Sequence, residues 1–144
     1  MANALAMGAA YGFLATVVYD VIRPLLKQVF HFQYPPFRAI TVFGSLITGL
    51  PMGHPFGLTV GWIYHFWNGI SFAMMYVLVR PRGGLVSGWA WGLGLQLLML
   101  WVYPSLLKVR LDDPGFLTMG IVGHSCWGLV LGWCVQKRGH LWAD

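Results

Sequence analysis

The chain has 144 residues, of which 58% are hydrophobic and only 9% are charged. Soluble domains usually contain about a quarter charged residues, so this composition excludes an ordinary soluble domain and indicates one transmembrane domain over residues 1–144. The formal net charge of +5 comes from basic residues near the ends of apolar stretches. Basic residues in those places suit lipid headgroups, so we expect no nucleic-acid partner.

Four apolar stretches are long enough for membrane spans, each of which requires roughly 20 residues. In chain order they cover residues 5–26, 58–79, 85–107 and 116–135. Asp20 and Arg23 lie near the end of the first stretch, and their three-residue spacing predicts an ion pair on the helix. The predicted fold class is therefore all-α and integral to the membrane, a bundle of four transmembrane helices with both termini on the same side.

The connection between the first two spans, residues 27–57, is long for so small a bundle. It contains an apolar segment at residues 38–50, with Pro35 and Pro36 before it and Pro51 and Pro55 after it. Proline favours the first turn of a helix and ends a helix elsewhere. A helix of this length would extend only about 20 Å, which is short for a span. We predict an interfacial or re-entrant helix near residues 38–50.

Each span carries a row of mostly small residues at four-residue spacing. The rows are Gly8, Gly12, Thr16 and Asp20; Gly57, Gly61, His65, Gly69 and Ala73; Gly84, Gly88, Gly92 and Gln96; and Gly120, His124, Gly128 and Gly132. A four-residue step keeps side chains on one ridge of a helix, and rows of small residues mark helix contacts in membranes. We predict that these rows are the contact faces of the bundle.

Each row also contains one strongly polar residue, and polar side chains within spans normally face the interior of the bundle. His65 lies eight residues past Gly57 and His124 eight residues past Phe116, so each is about 12 Å below the same surface. Gln96 reaches a similar depth from the opposite direction, and Asp20 approaches it from the end of the first span. We predict a polar layer of these four residues, with Asn68 close by.

Several interpretations of this layer stay open. It can be a structural network of hydrogen bonds, or His65 and His124 can be axial ligands of haem or bacteriochlorophyll. The carboxylate and the imidazoles can also pass protons or ions. The two histidines with Asp20 can bind a divalent metal, although we assign no metal site. The sequence shows no phosphate-binding loop and no paired catalytic carboxylates, so we predict a protein that is not an enzyme.

The second half of the chain carries a recognisable set of short motifs. They are His65-x6-Phe72-Ala73-x2-Tyr76, then Pro81, Gly88, Gly92 and Gln96-Leu97, then Gly123-His124-x2-Trp127. In these motifs, within residues 65–138, the chain resembles the YagU-like family of small bacterial inner-membrane proteins. It departs from that family at Gly69, where the family has serine, and in its long first connection. The family is multi-pass without an established activity, so the resemblance implies a membrane location and no substrate.

These patterns lead to two functional hypotheses. The leading one is a small non-enzymatic membrane subunit that packs in a larger membrane complex or oligomer, because so short a chain leaves little room for catalysis. The alternative is a protein that binds haem or pigment, or handles protons or ions, through His65 and His124. We expect a bacterial inner membrane with cytoplasmic termini, as for many small proteins with an even number of spans.

Overall fold

The computed structural model describes residues 2–108 and 110–141, with the side chains of residues 3–108 and 110–138. This part of the chain forms five helices and no strand: α1 (Ala2–Phe30), α2 (Arg38–Thr48), α3 (Pro55–Val79), α4 (Leu85–Leu107) and α5 (Pro114–Leu141). The all-helical prediction is confirmed. The predicted short helix is also confirmed, as α2.

Local sequence signals account for the ends of these helices. α2 ends where Gly49 adopts a left-handed conformation with φ of 71°, which glycine reaches without steric cost. Pro55 occupies the first turn of α3, and His54 Nδ1 accepts a hydrogen bond from the backbone N–H of Phe56. α1 continues to Phe30, four residues beyond the apolar stretch predicted as the first span. Apolar length therefore underestimates this helix.

The four long helices run antiparallel to their neighbours. α1 packs against both α3 and α5, α5 packs against α4, and α2 packs along the start of α3. In the described part of the chain, α3 and α4 make few direct contacts. α2 closes part of this gap, because Arg38 Nε and Nη2 donate hydrogen bonds to the carbonyl oxygen of Leu107 at 3.2 and 3.0 Å. The gap between α3 and α4 creates room for a central cavity.

Three helical segments are long and apolar enough to cross a membrane, namely Asn3–Phe30, Leu85–Leu107 and Pro114–Arg138. α3 has 25 residues, a length of about 37 Å, but it is not among these three because aromatic and polar residues lower its hydropathy. The apolar helices fit a lipid bilayer, and the protein is a membrane protein. The fourth span stays a prediction.

The outer surface of the bundle is apolar. Val86, Leu97 and Trp101 on α4 are among its most exposed side chains, with Trp101 exposed by 82%. Large contiguous apolar surfaces are rare on soluble monomers and normal on surfaces that face lipid. The interior is also largely apolar, but it contains a few buried polar residues, including Arg23 and His124. This distribution is consistent with a bilayer environment.

The rows of small residues lie at helix contacts, as predicted. Gly88 and Gly92 of α4 face Gly128 and Gly132 of α5, where a Cβ on Gly88 would come 2.6 Å from the Cα of Gly132. Other rows contact different neighbours: Gly8 and Gly12 face α3 at Met74 and Ala73, and Gly57 and Gly61 face α2 at Gly44 and Ile40. Most of these positions require glycine because the backbones approach too closely for a side chain; at Gly57 a Cβ would make ordinary van der Waals contacts, and there the close approach requires glycine at Gly44.

Candidate functional site

The central cavity lies between all five helices and has a volume of about 60 Å³. Its polar lining comes from four of them: Thr16, Tyr19 and Arg23 of α1, His65 and Asn68 of α3, Tyr103 of α4, and His124 of α5. α2 contributes Ala39. A water molecule needs roughly 10–15 Å³ of such space, so the cavity has room for a few waters or one small ion.

Asp20 and His65 form a hydrogen-bonded pair between α1 and α3. Nε2 of His65 lies 2.9 Å from Oδ1 and 3.2 Å from Oδ2 of Asp20, and because a carboxylate accepts, the imidazole donates. The side chains are only 21% and 11% exposed. Four-residue spacing from Gly12 through Thr16 places Asp20 on the ridge of α1 that faces α3. The predicted neighbours Asp20 and His65 are thus in direct contact.

Tyr19 lies between the two histidines. The centroid of its ring is 5.8 Å from that of His65 and 4.9 Å from that of His124, the second contact being edge-on. The close approach of α1 to α5 at this level requires Gly123, because a Cβ there would come 2.7 Å from the ring of Tyr19. Both imidazoles therefore contact one aromatic ring and line one cavity.

The backbone of α5 orients His124. Its Nδ1 donates a hydrogen bond of 2.9 Å to the carbonyl oxygen of Gly120, since a carbonyl can only accept. In the neutral imidazole, Nε2 is then the nitrogen that can accept a proton or a hydrogen bond. Gln96 of α4 packs against Gly120, which lies one turn before His124 on α5. Gln96 does not line the cavity, whereas Asn68 does. The predicted layer is therefore split: His65, His124 and Asn68 line the cavity, Asp20 contacts the lining through His65, and Gln96 lies outside it.

The predicted ion pair between Asp20 and Arg23 is wrong. Asp20 pairs with His65, and the guanidinium of Arg23 lies over the ring of Tyr19 instead, with Cζ 5.0 Å from the ring centroid. Arg23 follows Tyr19 by four residues and so shares its ridge, whereas Asp20 belongs to the neighbouring ridge that faces α3. The side chain is only 6% exposed. The four-residue spacing between Tyr19 and Arg23 was the sequence signal that could have placed Arg23 in the site.

A second polar contact joins α1 to α5 near the cavity. Nε1 of Trp127 donates a hydrogen bond of 3.2 Å to Oγ1 of Thr16, which in turn donates to the carbonyl oxygen of Gly12 at 2.8 Å. Gly69 of α3 leaves room for this hydroxyl, because a Cβ at Gly69 would overlap Oγ1 of Thr16. This contact fixes the helices around the cavity, and sequence reasoning had not assigned Thr16 to the site.

The geometry does not fit two of the open interpretations. A cavity of about 60 Å³ is far too small for haem or bacteriochlorophyll, so a macrocycle would require the helices to separate. Within the described residues, no three His, Cys, Asp or Glu side chains come together as they would to hold a metal ion. A hydrogen-bond network and the handling of protons or small ions both fit the site.

Comparisons with protein-family models, with curated proteins and with solved structures gave no match. The resemblance to the YagU-like family therefore depends on its short motifs alone and stays a prediction.

Proposed function

We propose that the chain is a non-enzymatic membrane protein of four spans whose central cavity handles protons through Asp20, His65 and His124. One observation carries the proposal: the contact of 2.9 Å between Asp20 and His65 at the edge of a polar cavity. Ionisable residues inside membrane bundles are costly and commonly serve proton or ion pathways. Imidazole exchanges protons near neutral pH, which suits this role.

The arrangement supports a simple route for a proton. When the imidazole of His65 takes up a proton on Nδ1, its Nε2–H stays hydrogen-bonded to the carboxylate of Asp20. The proton on Nδ1 of His65 can pass through water in the cavity to Nε2 of His124. Nε2 is the acceptor because Nδ1 of His124 keeps its proton in the hydrogen bond to the carbonyl oxygen of Gly120. Asparagine in place of Asp20 removes the charge and keeps an oxygen that can accept the hydrogen bond from Nε2 of His65.

Proton flux in reconstituted vesicles tests this proposal. We expect wild-type protein to raise the flux, driven by an imposed membrane potential and followed with an entrapped pH dye, above that of protein-free vesicles. Asp20→Asn should return it to background, because the amide carries no charge. Asp112→Asn is the matched control, since Asp112 pairs with Arg110 on the exposed surface. That hydrogen bond lowers the pKa of Asp112, so the control also removes a charge. Equal flux in wild type and Asp20→Asn would contradict the proposal.

The side of the membrane on which residue 82 lies shows whether α3 is the fourth span. If α3 crosses the bilayer, Arg82→Cys is labelled from the same side as Asn3→Cys; if it does not, Arg82→Cys is labelled from the side of Met52→Cys. We expect the first result, because α3 packs antiparallel along α1. The measurement uses an impermeant thiol reagent after Cys126 and Cys134 are replaced by alanine. It also tests our proposal that the termini face the cytoplasm of a bacterial inner membrane.

A second candidate function is that of a subunit in a larger complex or oligomer. Ala90 and Gly94 are exposed on α4, four residues apart, and a Cβ on Gly94 would meet nothing within 4 Å. Small residues on an outer ridge let another helix approach closely. Purification in mild detergent tests this role: a partner or second copy should be lost in Gly94→Leu. A chain that purifies alone would argue against it.

A further inference from the structure

Arg23 is a buried cation without a hydrogen-bond acceptor for its Nε. The side chain is 94% buried, since only 6% of it is exposed, and it forms part of the cavity wall. Its Nε has no hydrogen-bond partner among the described residues, and the guanidinium lies over the face of the Tyr19 ring. Such a contact stabilises the charge only partly, because guanidinium has five N–H donors to satisfy.

The acidic residues in the described part of the chain are engaged elsewhere. Both carboxylate oxygens of Asp20 lie within hydrogen-bonding distance of His65, Asp112 pairs with Arg110, and Oδ1 of Asp113 accepts from the backbone N–H of Phe116. None of these described carboxylates lines the cavity. A buried charge that lacks a partner is costly, and more so in a membrane bundle. The guanidinium of Arg23 therefore lacks a negatively charged partner in the cavity, because these side chains do not supply one.

We propose that the cavity binds one small monovalent anion, of which chloride is the type, with the guanidinium of Arg23 as its main partner. The volume of about 60 Å³ fits such an ion with a little water. Asn68 and Tyr103 line the same cavity and carry an amide and a hydroxyl that can donate to the ion. This site goes beyond the proposed proton function, because anion binding needs no proton movement.

Equilibrium dialysis of radiolabelled chloride against the full chain in detergent tests the site. We expect saturable binding of about one chloride per chain in the wild type. Arg23→Gln should weaken it by about ten- to a hundredfold, the usual value of a hydrogen bond to a charged group. Arg80→Gln is the control, because Arg80 is exposed at the other end of α3, and its binding should equal that of the wild type.

A second variant keeps the test decisive if Arg23→Gln does not fold. Ala39 lines the cavity from α2, so Ala39→Leu should fill the space and abolish chloride binding while Arg23 stays in place. The proposal is overturned if the folded wild type shows no saturable binding, or if binding survives unchanged in Arg23→Gln or in Ala39→Leu. The assay imposes no proton gradient, so it can succeed or fail independently of the flux experiment.

Discussion

Replacing Gly92 by leucine is expected to lower the melting temperature in detergent by about 10 °C or more, whereas leucine at Gly94 should leave it nearly unchanged. The two glycines are two residues apart on α4, so the substitutions have the same effect on helix propensity. They face opposite directions, because two residues correspond to about 200° around a helix. The pair therefore separates packing from propensity.

The expected difference follows from the atoms that each new side chain would meet. A Cβ on Gly92 would overlap the carbonyl oxygen of His124 and lie 3.2 Å from the Cα of Gly128, whereas a Cβ on Gly94 meets nothing within 4 Å. The obstacle at Gly92 is backbone, so α4 and α5 must separate along their length. Gly128→Leu should act in the same way, because its Cβ would overlap the carbonyl oxygen of Gly88.

Thermal melts of the three variants followed by circular dichroism check this prediction. If Gly92→Leu and Gly128→Leu melt with the wild type, the glycine rows do not hold the bundle together. If Gly94→Leu also destabilises the protein when a partner co-purifies, the outer face of α4 is an interface. In that case the melting temperature of the wild type should depend on the concentration of the protein.

The glycine rows show what a periodic pattern can and cannot predict. Four-residue spacing identifies the ridge of each helix that makes close contacts, and the structure places the rows at contacts. The pattern contains no information about the partner. The row on α3 faces two helices: Gly57 and Gly61 face the short helix α2 at Gly44 and Ile40, whereas Gly69 faces Thr16 of the long helix α1. Partner choice depends on loop lengths and on the whole bundle.

The sequence predicted the depth of the polar residues in the bundle but not which of them contact each other. Counting residues from the ends of the spans predicted similar depths for His65 and His124, and both line one cavity. Counting does not fix rotation about a helix axis, so it could not show that Gln96 packs against Gly120 outside the lining. Rotation also decides that Arg23 lies over Tyr19 and not beside Asp20.

Length and hydropathy gave different answers for α3. Residues 58–79 are long enough for a span, yet α3 is not among the three helical segments that are both long and apolar enough to cross a membrane. Aromatic and polar residues lower its hydropathy, and two of the polar ones, His65 and Asn68, line the cavity, where they do so without facing lipid. A hydropathy scale averages over all faces of a helix and cannot make this distinction.

Removing either member of the Asp20–His65 pair is expected to lower the free energy of unfolding by about 1–3 kcal/mol, the usual cost of stranding a partly buried polar partner. Asp20→Ala and His65→Ala should each show this loss. The double variant should lose less than the sum, because the two side chains contact each other. Denaturation of the four proteins in one detergent forms the cycle.

Asp20→Asn separates the structural role of this pair from its proposed function. The amide oxygen of asparagine can still accept the hydrogen bond from Nε2 of His65, so most of the stability should remain. The carboxylate that the proposed proton route uses is gone, so proton flux should fall to background. A stable Asp20→Asn protein with normal flux would leave the pair as a cross-link between α1 and α3. A stable protein without flux would support the protonic role, because no loss of packing could explain its inactivity.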